Sequence, residues 1–170
     1  MQKISENHRN ITPAIEAVIV LGRQEIALRG HRDSGKVVIN NDFTGPNEGN
    51  FRALLDYRAR GDPILRQHLE GPGERNKFMS PSIQNEILNA CYCILTSKVI
   101  AKIKSAQYYA LLVDETTDVS NVEQVTICAR YLDSTHEPEK LVLREDFLKF
   151  IPTASTTGVR LRFSDNYNIN

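Results

Sequence analysis

Apolar residues recur at helical spacing through the first 105 residues, and their spacing changes near residue 106. The first run predicts a helix over residues 13–29. Its apolar stripe comprises Ala14, Ala17, Val18, Leu21 and Leu28. Thr12 and Pro13 are typical of an N-cap and a first helical position, and Gly30 is typical of a C-cap. We expect residues 1–11 to be loose.

Further helices are predicted after a loop over residues 31–49, which is rich in Gly, Asn and Asp. A short helix begins near Phe51. Asp62-Pro63 and Ser80-Pro81 each pair a capping side chain with a proline at the first helical position, so each predicts a helix start. The helix after Ser80-Pro81 is the longest, and its wide apolar face predicts burial against another element.

Three strands are predicted after residue 106. Tyr108–Val113 is a continuous apolar run, which is typical of a central strand covered on both faces. Residues 115–123 are polar turn material. Strict alternation over residues 124–132 predicts a strand with one buried face, and Leu141–Phe150 is a third candidate. Because the links are short, we expect an antiparallel meander and an α+β fold.

The chain as a whole is neutral, with 21 basic and 21 acidic residues. A neutral chain exerts no general electrostatic attraction on nucleic acid. Three cysteines without CxxC spacing fit a reducing compartment, and no apolar run is long enough to cross a bilayer. We therefore expect a nuclear or cytoplasmic protein without a membrane partner.

The most informative stretch for chemistry is Leu111–Ser120, which places carboxylates where a strand is expected to leave the sheet. Asp114 in that position suits a divalent metal site. The alternative is that Asp114, Thr117 and Asp118 only build an Asx-type turn. An EF-hand is excluded, because that loop needs Gly at its sixth position and Val119 stands there.

A small basic cluster surrounds the predicted end of the first helix. It comprises Arg23, Arg29 and Arg32. These side chains are either a solvated helix terminus or contacts for nucleic-acid phosphates, with Arg29 and Arg32 as the candidate phosphate ligands.

Several segments, taken in order, resemble one family. They are Leu28-Arg29-Gly30-His31, Gly49-Asn50-Phe51, Ser80-Pro81-Ser82-Ile83-Gln84-Asn85-Glu86, Val113-Asp114-Glu115-Thr116-Thr117-Asp118, Glu123-Gln124, Arg130-Tyr131 and Thr156-Thr157-Gly158. Together they resemble the domain of unknown function 4371, which is found in hAT-superfamily (hobo/Ac/Tam3) cut-and-paste DNA transposases and in their domesticated zinc finger MYM-type and THAP-type relatives.

The resemblance implies a helical segment over residues 1–105, the first three antiparallel strands of an RNase H-like catalytic core over residues 106–158, and a divergent tail over residues 159–170. In such transposases three acids hold two Mg²⁺ or Mn²⁺ ions that cut and join DNA. Asp114 matches the first acid. The other two belong to later motifs that this sequence does not contain, so we expect an incomplete site that is inactive alone.

A second reading of the same sequence is an interaction module. The expected three-strand meander leaves an open sheet edge, and open edges pair with other chains. The partner would be a full-length relative or a chromatin factor.

Overall fold

A computed structural model describes residues 2–33, 35, 39, 47–72, 77–117, 123–133 and 141–152. These residues form an α+β fold in which helices precede an antiparallel sheet, as the sequence predicts. The elements are α1 (Gln2–Arg23), α2 (Asn50–Gly61), α3 (Pro63–Glu70), α4 (Pro81–Ser105), β1 (Tyr109–Thr117), β2 (Glu123–Asp133) and β3 (Val142–Pro152).

The chain divides into two compact units, Met1–Tyr92 and Cys93–Asn170. The division falls within α4, so the first unit holds α1 to α3 and the first half of α4, and the second holds the rest of α4 and the sheet. The domain boundary predicted at residue 105 stays a prediction. The divergent tail at 159–170 lies outside the described residues.

The first helix differs from its prediction at both ends. It begins at Gln2, so the expected loose residues 1–11 are almost all helical, and Pro13 lies inside the helix. Thr12 is not an N-cap: its hydroxyl donates to the carbonyl of His8, one turn earlier, at 2.7 Å. Thr12-Pro13 matches the pattern of a helix start, but the helix continues through Pro13 and lacks only the one backbone donor that proline removes.

The helix ends at Arg23, seven residues before Gly30, because the chain turns at Glu25. Glu25 adopts a left-handed conformation with φ 56°. The N–H of Ile26 donates to the carbonyl of Leu21 at 2.9 Å, and the N–H of Glu25 donates to that of Gly22 at 3.3 Å. These two bonds form a Schellman motif with glutamate in the position that glycine usually fills.

The two predicted proline-marked helix starts are confirmed. The Asp62 carboxylate accepts from the backbone N–H groups of Ile64 and Leu65, both at 3.0 Å, and Pro63 opens α3. The Ser80 hydroxyl accepts from the N–H of Ile83 at 3.3 Å at the start of α4. In both cases the proline occupies a position where no intrahelical donor is needed.

The core of the first unit is formed by the apolar faces of its helices, with Ile39 and Met79 added from outside them. Its buried members are Ala14, Ala17, Val18, Leu21, Ile39, Phe51, Leu55, Ala59, Leu65, Leu69, Met79 and Ile87. Phe51 and Leu69 are essentially inaccessible to solvent, and the helix surfaces interdigitate around them. The first-helix stripe predicted from the sequence therefore supplies four residues of a real core.

The sheet of the second unit has the strand order β1-β2-β3 with both pairs antiparallel, which confirms the predicted meander. In β2 the predicted alternation is also confirmed, since every second residue from Val125 to Tyr131 is buried. A β-bulge interrupts the pairing of β2 with β3 between Ile127 and Cys128. The second core joins this face to α4 through Ile103, Ala129 and Tyr131.

The first strand departs from its prediction in burial and in length. Leu111 and Val113 are 40% and 46% exposed, so β1 is not covered on both faces. A continuous apolar run shows only that a strand is suited to burial on both faces. Whether it is buried depends on which other elements of the protein pack against those faces. The strand also continues to Thr117, because Glu115, Thr116 and Thr117 pair with β2 instead of forming the predicted turn.

Candidate functional site

Asp114 lies within β1, three residues before the strand ends, and not at the point where the chain leaves the sheet. It pairs with Thr126 of β2, and its side chain is exposed. Its Oδ1 accepts the backbone N–H of Glu115 at 2.9 Å. The expectation that Asp114 ends a buried strand is therefore wrong, while its place on the first strand of the sheet is confirmed.

The side chains around Asp114 follow from the register of the sheet. Directly opposed residues in neighbouring strands project from the same face, so Asp114, Thr126 and Phe150 form one row across the three strands. The adjacent row contains Leu112, Cys128 and Phe147. The Phe147 and Phe150 rings pack together with their centroids 4.7 Å apart.

These neighbours do not complete a metal site. Thr126 contributes a hydroxyl and Phe150 contributes no ligand, while Glu115 projects from the opposite face of the sheet. Among the described residues, no group of three or more His, Cys, Asp or Glu side chains is placed to hold an ion. Asp118 lies outside the described residues. The donor set present is one carboxylate, which does not fit the two Mg²⁺ or Mn²⁺ ions that the resemblance implies.

Arg29 and Arg32, the candidate phosphate ligands, differ in their surroundings. The Arg29 guanidinium donates from one nitrogen to the carbonyl of Pro81 at 3.0 Å and to Oδ1 of Asn85 at 2.5 Å. Its Nε lies 3.9 Å from Asp33. Arg32 is exposed. Arg29 thus ties the segment after α1 to the first turns of α4, and one of its guanidinium nitrogens is already used within the protein.

Three of the sequence motifs meet around this arginine. Gly30 and Gly49 lie so close that a β-carbon on Gly30 would come within 2.8 Å of the Gly49 α-carbon. The N–H of Phe51 donates to the carbonyl of Leu28 at 2.9 Å. We call the contact of residues 27–30, 47–51 and 80–85 the motif junction. Sequence reasoning missed it, although the glycines in two separate motifs were a signal of close backbone approach.

A buried charged cluster in the second unit was also missed. Asp133, only 5% exposed, lies 3.0 Å from Nζ of Lys102 and 2.7 Å from Nε of Arg144. The Tyr131 hydroxyl donates to Asp146 at 2.6 Å. Burial, and then the bond to Asp146, raise the pKa of Tyr131 well above its usual value. The cluster fastens α4 to the sheet.

None of the described helices is both long enough and apolar enough to cross a membrane. No solved structure matches the chain significantly.

Relatives are found among curated proteins. The chain is 26% identical over 148 residues to the human "52 kDa repressor of the inhibitor of the protein kinase". It is 25% identical over the same length to the mouse protein of that name. Each match covers 86% of this chain and 18% of the relative, so the chain spans less than a fifth of the length of these proteins.

The family model that matches is DUF4371, described as the ZMYM1/FAM200 RNase-like domain, and the match covers residues 1–164. It includes the motif junction, the sheet and Asp114. Both the family resemblance and the expected order of helices before an antiparallel sheet are thereby confirmed, and the chain belongs to the DUF4371 family of RNase-like domains.

Proposed function

We propose that this chain is the N-terminal part of a hAT transposase-derived domain that does not cut or join DNA by itself. The observation that carries the proposal is the setting of Asp114: it lies on the first strand of an RNase-like sheet, yet among the described residues it belongs to no group of three or more His, Cys, Asp or Glu side chains that could hold an ion. In the ancestral enzyme this aspartate would be one of the acids that bind Mg²⁺ or Mn²⁺.

The physical reason is the geometry that two-ion catalysis demands. Two ions about 4 Å apart activate the attacking oxygen and stabilise the leaving oxygen of one phosphodiester. Several oxygen ligands must hold both ions in place. An exposed Asp114 with one oxygen hydrogen-bonded to the backbone offers one weak, solvated point of attachment. DNA is therefore the substrate of the ancestral protein and not of this chain alone.

A plasmid-nicking assay tests this proposal. Purified full chain is incubated with supercoiled DNA and either Mg²⁺ or Mn²⁺, beside the variants Asp114→Ala and Glu115→Gln. Glu115 is the matched control, since it is the next acid along the strand and projects from the other face. We expect the three proteins to be equally inactive. Metal-dependent nicking that Asp114→Ala abolishes and Glu115→Gln retains would contradict the proposal.

A second function is favoured by the open edge of β1, namely an interaction module in a longer regulatory protein. Its support is that β1 is an edge strand of the described sheet. The relatives' printed name, which describes a repressor, also suits a protein that acts through partners. Co-purification of this chain with a full-length relative from nuclear or cytoplasmic extracts tests the interaction function. It requires a complex of fixed stoichiometry that survives gel filtration.

A further inference from the structure

We propose that Arg52 is a clasp: its side chain joins Gly35 to Glu48, two residues thirteen positions apart between α1 and α2. The clasp seats Ile39, which lies between them in the sequence, in the core of the first unit. The amino-acid pattern predicts only a loop here. This inference goes beyond both functions proposed above, because it concerns the conformation of the first unit and holds whichever function is correct.

The burial of Arg52 requires these two partners. Arg52 lies in the first turn of α2, and its side chain is only 4% exposed. Its Nε donates to Oε2 of Glu48 at 2.8 Å, and its Nη2 donates to the carbonyl of Gly35 at 3.2 Å. A charged group removed from water is stable only when its donors are paired. The fold that buries this guanidinium therefore also fixes the positions of Glu48 and of the Gly35 carbonyl.

An ion pair with the same sequence spacing in α3 shows how Arg52 differs from an ordinary helix pair. Arg66 and Glu70 lie four residues apart, and their side chains are 39% and 43% exposed. Such a solvated pair contributes little to stability. Arg52 is almost inaccessible and also donates to a residue 17 positions away. Arg52 is thus a tertiary contact, and Arg66 is its matched control.

Ile39 shows what the clasp achieves. It lies in no helix or strand, yet it is 7% exposed and belongs to the core of the first unit. Burying a side chain on an irregular segment requires the backbone around it to be ordered, which costs conformational entropy. Because one guanidinium holds both Gly35 and Glu48, part of that ordering is already achieved when Ile39 is buried. We therefore expect the burial of Ile39 to depend on Arg52.

The alternative is that apolar neighbours alone hold Ile39 and that Arg52 is an independent contact of α2. The two possibilities differ in whether Arg52 and Ile39 contribute to stability independently. Independent contacts have multiplicative effects on the equilibrium constant for unfolding, whereas two members of one structural unit do not.

A double-mutant cycle in the full chain, measured by chemical denaturation, distinguishes these possibilities. Arg52→Met keeps an apolar stem without the guanidinium, and it should raise the equilibrium constant for unfolding about tenfold or more. Ile39→Ala should raise this constant about thirtyfold or more through the lost core contacts. The double variant should fall short of the product of the two effects by about threefold or more. Arg66→Met is the control, and its effect should multiply with that of Ile39→Ala.

Hydrogen exchange locates the change within the first unit. The Gly49 N–H donates to Oδ1 of Asn47 at 2.9 Å, next to one partner of the clasp. The Arg66 N–H donates to the carbonyl of Asp62 at 2.9 Å, at the start of α3. In Arg52→Met, the exchange rate of the Gly49 N–H should rise about tenfold relative to that of the Arg66 N–H.

Three results overturn the proposal. They are multiplicative effects of Arg52→Met and Ile39→Ala, an Arg52→Met variant as stable as the unmodified chain, and equal acceleration of exchange at Gly49 and Arg66. If Arg52→Met does not fold, Glu48→Gln takes its place in the cycle, because it weakens only one contact of the clasp. A shortfall of about twofold is then expected with Ile39→Ala, and multiplicative effects would again contradict the proposal.

Discussion

Gly30 and Gly49 touch backbone to backbone at the centre of the motif junction. A β-carbon on Gly30 would lie 2.8 Å from the α-carbon of Gly49, and one on Gly49 would lie 2.5 Å from the nitrogen of Gly30. Gly49 also has φ 88°, a conformation that other residues rarely adopt. Gly30 and Gly49 are nineteen positions apart in the sequence. Each motif therefore contains a glycine at the point where the two chain segments come into contact.

Replacing either glycine by alanine should destabilise the first unit. Because the obstacle is backbone, which cannot move aside as a side chain can, we expect a loss of about 1–3 kcal/mol in the free energy of unfolding, with Gly49→Ala the worse of the two. Chemical denaturation of the full chain measures the loss. Gly22→Ala is the control: it lies in α1 with open space around it, and alanine there should stabilise the helix by about 0.5–1 kcal/mol. Equal effects at all three positions would refute the close approach.

Asp62 should matter as an N-cap and not as a charge. Asp62→Ala removes the acceptor for the N–H groups of Ile64 and Leu65, and we expect a loss of about 1 kcal/mol. Asp62→Asn retains a capping oxygen at the same position, so its loss should be only a few tenths of that value. Denaturation of both variants separates the two explanations, and equal losses would indicate that the charge is what stabilises α3.

Arg29 is expected to affect stability more than DNA affinity. Arg29→Ala removes the bonds to Pro81 and Asn85, and because the side chain is 46% exposed we expect a loss of only about 0.5–1 kcal/mol. Arg32→Ala, which removes an exposed neighbour of the same charge, is the control and should leave stability unchanged. Affinity for a short DNA duplex should change equally in the two variants. If Arg29→Ala alone lost DNA affinity while its stability stayed unchanged, Arg29 would be a phosphate contact and not a structural residue.

The sequence predicted those parts of the fold that local patterns encode. Alternation in β2 is set by its own residues, and Asp62-Pro63 marks a helix start through contacts within one turn. The sequence patterns gave wrong predictions where the structure depends on residues far away in the sequence, or where the residue type usual for a feature is missing. Glu25 ends α1 in a position without glycine, and the apolar run of β1 carries no information about whether a covering layer is present.

The candidate site shows the same division. Asp114 was placed on the correct strand because a strand pattern precedes it, but its burial and its distance from the strand end were not local properties. The role of Arg29 depends on Asn85, which is 56 residues away in the sequence, so no spacing near Arg29 could reveal it. Likewise, Asp133 acquires its two cationic neighbours only when α4 and β3 pack beside it.

Tyr131 should make the second unit sensitive to alkali. Its hydroxyl is buried and donates to Asp146, and both features raise its pKa in the folded protein above the usual value of about 10. A raised pKa means that the stabilisation is fully present below pH 10 and is lost as the pH rises from there toward the folded pKa. In this range the tyrosine should contribute a decline of up to about 1.4 kcal/mol per pH unit.

The test compares Tyr131→Phe with the exposed control Tyr108→Phe at pH 8 and pH 11. At pH 8, Tyr131→Phe should cost about 1 kcal/mol through the lost hydrogen bond. Between pH 8 and pH 11 it should lose less stability than the unmodified chain, so the difference between the two proteins narrows or reverses. Tyr108 is 70% exposed, and its replacement should leave the pH profile unchanged. A Tyr131→Phe profile parallel to that of the unmodified chain would show that the hydroxyl ionises equally in the folded and unfolded states, and the raised pKa would then be wrong.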